Sequence, residues 1–415
     1  MSSDEMILFN NGLNYSLPVP SSVAVNKTKK RSYFQNRSYQ SGQTMVATLN
    51  TGASFIDLTS SNLVVKVKVT STSASNFVCG FGNGSAMNIV ENIRVYHRSG
   101  TQYTNTQKMN MYRAHDDHIC ESNNWFTTVG ENMGYNGFDT KFSTANAEHT
   151  FVIPLKKLHP FFSPEGGDDI MGPPQMFASQ RIEIDQAQFK QIFKESSTST
   201  ASPTDFEITD IYFDLECVDL MDSAQASINT NAQKKALEYL YRDIFTSRTA
   251  SASATSVVSV DINKSVSYAA RVTATLDDNV NQNSLTYDAF ISPYRAGSWW
   301  YQLGSNQYPS NQKIDSTAVA YQQLLTSYGK LNGKCGERGE TGCGPLNFRL
   351  IDGLYTTSLE LNTALALSGM PVTSSRTLRF ELNLDTPAAT EFTTLIFMTY
   401  LASVRSTLTS SRVDV

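Results

Sequence analysis

Two stretches near the end of each half of the chain decide the fold. They are FASQRIEIDQ (residues 177–186) with DFEITDIYFDLECVDL (205–220), and SSRTLRFELNL (374–384) with EFTTLIFMTYLASV (391–404). Each half ends with a short alternating stretch and then a longer strand that is rich in apolar residues, and period-two alternation is typical of a strand with one buried face. The pairs match in order and pattern but hardly in identity. The sequence therefore predicts two copies of one β-sandwich in tandem.

Length and composition agree with two β domains. The chain has 415 residues, more than one hydrophobic core usually organises. It is 40% hydrophobic and 17% charged, and its formal net charge of −5 argues against a nucleic-acid binder. We find no run of 18 apolar residues and no secretory signal at the start, so we expect a protein made inside a cell and not secreted.

The five cysteines are odd in number and widely scattered, which favours reduced thiols. Two of them, Cys335 and Cys343, lie eight residues apart in a glycine-rich stretch and could pair on oxidation. Residues 333–344 (GKCGERGETGCG) show no hydrophobic period, and we interpret them as an exposed loop.

Alternation predicts further strands in both halves. In LVVKVKV, Val65, Val67 and Val69 face one way and the lysines the other. Pro154 predicts either an edge strand or a position where no ladder donor is needed, because proline cannot donate to a β-ladder. The run Leu395–Leu401 is expected to be buried on both faces. The predicted inward-facing residues are Val65, Val67, Val69, Ile93, Val95, Phe151, Ile153, Leu155, Ile211, Phe213, Leu215, Cys217, Val258, Val260, Ile262, Val266, Tyr268, Ala270, Val272, Leu378, Phe380, Leu382 and Leu384.

Two segments have helical spacing. Between the halves, Ala232–Ile244 is predicted to be an amphipathic helix, because its apolar residues recur at i, i+3, i+4 and i+7. Those residues are Leu237, Leu240, Tyr241 and Ile244. A second helix is predicted over Ser316–Tyr328, with one face formed by Ala318, Tyr321, Leu325 and Tyr328.

Residues 1–42 show no sustained period and are predicted to form an extended N-terminal arm. They carry a basic cluster of Lys27, Lys29, Lys30, Arg31 and Arg37. Such a segment is either a solvated tail or an arm ordered by neighbouring subunits or by an anionic surface.

Catalytic motifs of the phosphate-loop, nucleophile-elbow and zinc-helix kinds are missing from the sequence. The best cluster is HDDHIC, in which His115 and His118 are spaced to share a metal on a helix. A metal site would need further ligands, so we favour a polar helix end at the surface and predict neither a metal nor another cofactor.

The aromatic run around Trp299 and Trp300 could suggest a platform for stacking sugars or bases. Neighbouring residues of a strand point to opposite faces, so the two indoles cannot form one platform if the segment is extended. We therefore expect one indole in the core and one at a protein interface.

Several passages, in the same order, resemble the double jelly-roll major capsid proteins of polinton-like viruses, adintoviruses, virophages and the giant-virus lineage. In the first half these are SAMNIVENIRVYHRSGTQ (residues 85–102), the segment from FVIPLKKLHPFF to RIEIDQ (151–186) and DIYFDLECVDL (210–220). In the second half they are VSVDINKSVSYAARVTATL (258–276), SNQYPSNQKIDSTAVAYQQLL (305–325) and Leu367-Ser368-Gly369 followed by RTLRFELNL (376–384). The acidic stretch at 164–169 is longer than the family pattern.

The resemblance implies an all-β chain of two tandem eight-stranded antiparallel jelly rolls with short crossover helices. The expected division is an arm (1–42), a first roll (43–220), a linker with a helix (221–245), a second roll (246–405) and a tail (406–415). Three chains would form a pseudo-hexameric capsomer that tiles an icosahedral virus shell. The expected partners are copies of the chain, minor capsid or penton proteins, and an inner membrane or the genome reached through the arm.

Two other functions remain open at this point. A carbohydrate-binding or adhesive surface protein would use the Trp299-Trp300 region, and a hydrolase on a cupin-like roll would need several histidines and a glutamate on facing strands. The five histidines are not distributed in that way, so the non-enzymatic capsid subunit is the favoured interpretation.

Overall fold

A computed structural model describes residues 24–414 of the protein except 74–76, 82–83, 136–141, 164–170, 197–198, 200, 235–236, 279–284, 286–295, 310–312, 329–355, 362–368 and 407–410. The strands of the first half are β1 (Ala24–Tyr33), β2 (Tyr39–Gln40), β3 (Thr44–Thr48), β4 (Phe55–Ser71), β5 (Cys79–Gly80), β6 (Val90–Tyr96), β7 (Gln102–Thr106), β8 (Glu148–Pro154), β9 (Met171–Gly172), β10 (Arg181–Gln186), β11 (Lys194–Glu195) and β12 (Pro203–Leu220). Those of the second half are β13 (Leu237–Ser251), β14 (Val257–Ile262), β15 (Val266–Asp278), β16 (Ala296–Leu303), β17 (Asn306–Tyr308), β18 (Thr357–Glu360), β19 (Met370–Val372), β20 (Leu378–Leu384), β21 (Phe392–Ser406) and β22 (Ser411–Asp414).

Helices occupy the connections between strands. They are α1 (Met109–Cys120), α2 (Asn123–Phe126), α3 (Val129–Met133), α4 (Leu155–Leu158), α5 (Pro174–Phe177), α6 (Phe189–Ile192), α7 (Asp222–Lys234) and α8 (Thr317–Ser327), with 3₁₀ turns at Ala86–Ile89 and Pro160–Phe162. In the part of the chain that the structure describes, no helix is both long enough and apolar enough to cross a membrane.

The two halves fold with the same strand order. The first half has one sheet in the order β1-β12-β4-β8 and a second in the order β3-β10-β6-β7. The second half repeats this as β13-β21-β15-β18 and β14-β20-β16-β17, and the named strands pair antiparallel throughout. In each half the first long strand lies beside the last, which closes a jelly roll of eight main strands. We call these halves roll 1 and roll 2.

The alternation seen in the sequence predicts the buried faces well. Val65, Val67 and Val69 are buried, while Lys66 and Lys68 between them are partly exposed. The prediction of an edge strand at Pro154 is also confirmed, because among the described strands β8 pairs with β4 alone. The run of β21 from Leu395 to Tyr400 is buried on both faces, and Leu401 is partly exposed.

The prediction that Tyr268 faces inward is wrong, and the prediction of a helix over Ser316–Tyr328 is confirmed only in part. Tyr268 is 49% exposed, because the register of β15 shifts and places Ala269 and Ala270 in the interior instead. The helix predicted over Ser316–Tyr328 forms as α8, but its buried face contains Ala320, Leu324 and Ser327. The loop predicted at 333–344 lies outside the described residues.

The helix predicted over Ala232–Ile244 is wrong from Leu237 onward. A helix does link the rolls, but it is α7 and ends at Lys234, and Leu237 begins the long strand β13. The helical spacing was accidental: in the strand, Tyr239 and Tyr241 alternate inward with 5% and 0% exposure. Fifteen residues of pairing with β21 outweigh the local helical preference.

The predicted arm and tail are also corrected. Residues 24–33 form β1, the edge strand of roll 1, which pairs with β12 from Ala24 to Tyr33. At the other end, β22 pairs with the end of β21, so that part of the predicted tail belongs to roll 2. Residues 1–23 lie outside the described part of the chain.

The cysteines divide into two groups. Cys79 and Cys217 are free and buried, as expected for reduced thiols, and burial raises the pKa of the Cys79 thiol to about 12. The expectation of reduced thiols is wrong for Cys120, which is disulfide-bonded.

A single hydrophobic core runs through both rolls. Phe161 of roll 1 packs against Tyr239 and Tyr241 of roll 2, with ring centroids 5.3 and 5.0 Å apart. Tyr241 also donates a hydrogen bond to the carbonyl of Tyr103 at 2.7 Å. The rolls are therefore joined by packed aromatic side chains, and α1 lies in this joint.

Candidate functional site

Two clusters of buried polar side chains lie between the rolls, in a region that we call the seam. Its centre is α1, which begins after Lys108 in the left-handed conformation and buries eleven of its twelve residues. The prediction that HDDHIC forms a polar helix end at the surface is therefore wrong in its exposure: His115 is 2% and Asp117 is 0% exposed. A short, charged helix can be buried because each charge meets a partner.

Asp117 anchors α1 within roll 1. Its carboxylate accepts hydrogen bonds from Lys157 at 2.7 Å and Tyr135 at 2.8 Å, and Arg113 lies 3.5 Å away. Burial would raise the pKa of this carboxyl, but the charges of Lys157 and Arg113 outweigh it and hold the pKa below its usual value. Lys157 also pairs with Glu121, so the cluster is a network rather than one ion pair.

Asp116 carries the connection to roll 2. Its carboxylate accepts one hydrogen bond from Arg113 and one from Arg271 of β15, each at 3.0 Å. The Arg271 guanidinium also donates to the hydroxyl of Tyr112 at 3.1 Å and stacks 3.7 Å above the ring of Tyr328 at the end of α8. This one arginine therefore contacts α1 and the end of α8.

The two histidines of α1 do not converge on a shared ligand. His115 points to roll 2, where its ring nitrogens lie 3.1 Å from Thr356 and 3.5 Å from Thr275. His118 instead bonds the carbonyl of Ala114 at 2.8 Å. Among the described residues, no group of three or more His, Cys, Asp and Glu side chains is placed to hold a metal ion.

A second polar cluster at the seam surrounds Asp243 of β13. Its carboxylate accepts hydrogen bonds from Thr104 at 2.5 Å, from Tyr400 at 2.7 Å and from the backbone of Ile244 at 2.9 Å. Burial is the largest influence on this carboxyl and raises its pKa. His159 lies 3.8 Å away, and burial, with a smaller effect of Arg113, lowers its pKa to about 3.

The Asp243 cluster borders a cavity of about 440 Å³ between the rolls. The cavity is lined by β7 from roll 1, including Gln102 and Asn105, and by β13, β21 and β22 from roll 2, including Thr246. Lys264, between β14 and β15, also lines it. Sequence reasoning missed Asp243, His159 and Arg271. Each lies beside apolar residues in a strand or its connection, and a polar residue in such a place was the one signal available.

The basic cluster of the predicted arm lies on β1, where its charges already have partners. Lys27 is 3.5 Å and Lys29 is 3.8 Å from the carboxylate of Glu216, and Lys30 donates to the carbonyl of Thr51 at 2.8 Å. Arg31 stacks over the ring of Tyr212 at 4.6 Å. The cluster is therefore part of a mixed-charge sheet face, not a free basic segment.

Trp299 and Trp300 lie on opposite faces of β16. Trp299 is fully buried and meets the ring of Tyr301 edge-on at 5.7 Å. Trp300 is partly exposed, and the ammonium of Lys313 lies 4.0 Å from its ring. The two indoles do not form one stacking platform.

Comparison with solved structures decides the fold. No family model and no curated protein sequence matches the chain. A quasi-atomic model of the PBCV-1 virus capsid superposes with a TM-score of 0.66 at 11% identity, covering 97% of this chain and 99% of that one. The chain has the double jelly-roll fold of viral capsid proteins. The Faustovirus major capsid protein gives 0.66 at 8% identity over 96% and 94% of the two chains, and the mavirus major capsid protein gives 0.57 at 9% over 97% and 91%.

Proposed function

We propose that this chain is a major capsid protein, a structural subunit without catalytic activity whose place is the virion. The observation that carries the proposal is the tandem repeat itself: two rolls of one strand order, fused by a continuous core, match viral capsid proteins along nearly the whole of both chains. Two similar rolls in one rigid chain would provide two of the six corners of a pseudo-hexagon. Three copies then complete a capsomer.

The finer assembly proposal follows from that geometry. Homotrimeric, pseudo-hexameric capsomers would tile an icosahedral shell that is assembled inside the host cell. Minor capsid or penton proteins would occupy positions that a six-cornered block cannot fill. An inner membrane or the genome is not proposed as a partner of the basic cluster, because Lys27 and Lys29 pair with Glu216 of β12.

The carbohydrate-binding alternative loses its main support. It depended on a joint surface formed by Trp299 and Trp300, and one of these is buried in the core of roll 2. A sugar platform requires an exposed aromatic face, which Trp299 does not offer.

The mass of the purified protein in solution tests the proposal. Sedimentation equilibrium at micromolar concentration should give three times the subunit mass. The interfaces of such a trimer should lie in the size range of obligate contacts, about 2,000 Å² or more. Addition of salt or crowding agents should then produce sheets or shells that are visible by electron microscopy. A monomer under every condition of pH and salt would contradict the capsid function.

A further inference from the structure

The cavity at the seam has a lining to which both rolls contribute. Roll 1 supplies β7, which stands last in the order of its sheet, and roll 2 supplies β13, β21, β22 and the turn between β14 and β15. The volume of about 440 Å³ falls within the range of small-molecule sites, which is about 300–1,000 Å³. A molecule bound in this cavity would therefore contact both rolls at once.

Of the described residues that line the cavity, Lys264 alone is basic. Its ammonium lies 5.5 Å from the centre of the Tyr400 ring, and it forms no ion pair with a carboxylate of the described residues. An ammonium group carries three N–H donors, and a ring at this distance attracts the charge without accepting them all. Lys264 therefore keeps hydrogen-bond donors for a negatively charged group from outside the chain.

The acidic residue at the cavity, Asp243, has its own donors and does not depend on Lys264 for a hydrogen bond. Its carboxylate is 6% exposed and accepts from Thr104, Tyr400 and the backbone of Ile244. Burial, the largest influence, raises the pKa of this carboxyl, and those hydrogen bonds together with the more distant charge of Lys264 offset part of the effect. An anion that binds Lys264 would therefore take no hydrogen bond away from Asp243.

Roll 1 adds uncharged polar groups to the same lining. Asn105 of β7 and Gln107, which follows the strand, are exposed at the cavity, and neither side-chain amide has a hydrogen-bond partner among the described residues. Thr246 of β13 holds this segment in place, because its hydroxyl donates to the carbonyl of Gln107 at 2.7 Å. Each side-chain amide offers two N–H donors and one carbonyl acceptor, which suits the hydroxyl groups of a ligand.

We propose that the cavity binds a small hydrophilic molecule that carries one carboxylate or phosphate group. The acidic group of this ligand accepts hydrogen bonds from Lys264, and its hydroxyl groups meet the amides of Asn105 and Gln107. One chain forms the whole site, so binding goes beyond the capsid function and does not depend on assembly. Because Lys264 and β7 belong to different rolls, the ligand fastens the rolls to each other, and its occupancy raises the free energy of unfolding by mass action.

Titration calorimetry with glucuronate, which has one carboxylate and several hydroxyl groups, tests the site. For a molecule of this size we expect a dissociation constant of about 1 mM. Lys264→Gln should raise that constant at least about tenfold, because it removes a hydrogen bond from a charged donor. Lys313→Gln is the matched control, since the Lys313 ammonium also lies over an aromatic ring, 4.0 Å from that of Trp300, but does not line the cavity. It should leave the constant within about twofold.

Further arms of the titration identify the groups that bind. Inorganic phosphate should compete with glucuronate, while glucose, which has no acidic group, should bind at least about tenfold more weakly. Asn105→Ala should weaken glucuronate binding about fivefold, which shows that roll 1 contributes. Circular dichroism should show every variant folded, and chloride keeps the ionic strength constant. Equal binding by the wild type and Lys264→Gln, or no saturable binding of glucuronate or phosphate by the wild type, would overturn the inference and leave the capsid function standing.

Discussion

The two rolls share a strand order but use charge in opposite ways on their outward sheet faces. On roll 2, under α1, Arg271 is 14% exposed and bonds Asp116, Tyr112 and the ring of Tyr328. On roll 1, the pairs formed by Lys66 and Lys29 are partly exposed and 3.8–4.0 Å long. The covered face holds its charge in short hydrogen bonds, while the open face carries its charges in longer, partly exposed pairs.

The largest effect that we expect comes from truncating the first strand of roll 1. Removing residues 1–40 deletes β1, which pairs with β12 along its length, and should unfold roll 1. Removing residues 1–23 leaves β1 whole, so the difference in unfolding free energy between the two truncations measures what residues 24–40 contribute. Protease resistance and thermal unfolding measure both. Equal stability of the two truncations would show that β1 is not part of the roll.

The second prediction compares a buried carboxylate with an open one. Asp117→Ala leaves Lys157 and Arg113 buried without their partner, which should cost about 3–5 kcal/mol of unfolding free energy. Asp210→Ala removes the partner of the exposed Lys66 and should cost about 0–1 kcal/mol. Urea denaturation of both variants gives the difference. Similar losses would mean that the seam charges are no more desolvated than those of the open face.

The third prediction concerns how the free energy of unfolding depends on pH through two histidines buried at the seam. Burial lowers the pKa of His115 and His159 from 6.5 to about 3, with smaller effects of His118 and Arg113 respectively. The unfolded chain therefore binds more protons below about pH 6.5, so this stability is fully present above pH 6.5 and declines as pH falls toward 3. Each histidine contributes up to about 1.4 kcal/mol per pH unit.

Substituting single residues shows which side chains cause this pH dependence. His159→Gln should flatten the decline in unfolding free energy between pH 6 and 4 as measured in urea. The raised pKa of Asp243 has the opposite sign, because its folded form gains stability as pH falls through that pKa, so Asp243→Asn should make the decline steeper. An Asp243→Asn variant with the same stability at pH 7 and pH 4 would contradict the burial of both histidines.

Sequence patterns were reliable where a residue's face is set by its immediate neighbours. The alternation of Leu378, Phe380 and Leu382 predicts their burial because a strand has a period of two. The same reasoning failed at Leu237–Ile244, where pairing with β21 overrides a helical spacing. The resemblance supplied the expectation of jelly rolls and of a place in a virion, which local patterns could not.

The seam could not be predicted, because its residues come from distant parts of the sequence. Asp116 and Arg271 are 155 positions apart, and Thr104 and Asp243 are 139 apart. A charged residue in an apolar stretch of a strand indicates a buried polar contact but does not identify its partner. The strand β1 was not predicted within residues 1–42, because an edge strand with one face open to solvent has little apolar pattern.

The smallest effect that we expect comes from replacing Lys29 on β1, and the same replacement of Lys157 at the seam is the comparison. Lys29 is 67% exposed at 3.8 Å from Glu216, so Lys29→Ala should change the unfolding free energy by less than about 1 kcal/mol. That change should shrink further as ionic strength rises, because salt screens exposed charges. Lys157→Ala is the matched change at the covered seam, and its effect should be several times larger and nearly independent of salt, since Lys157 is buried against Asp117. Urea titrations at low and high salt measure both. If Lys29→Ala instead leaves the unfolding free energy unchanged but weakens self-association, Lys29 contacts something outside the chain.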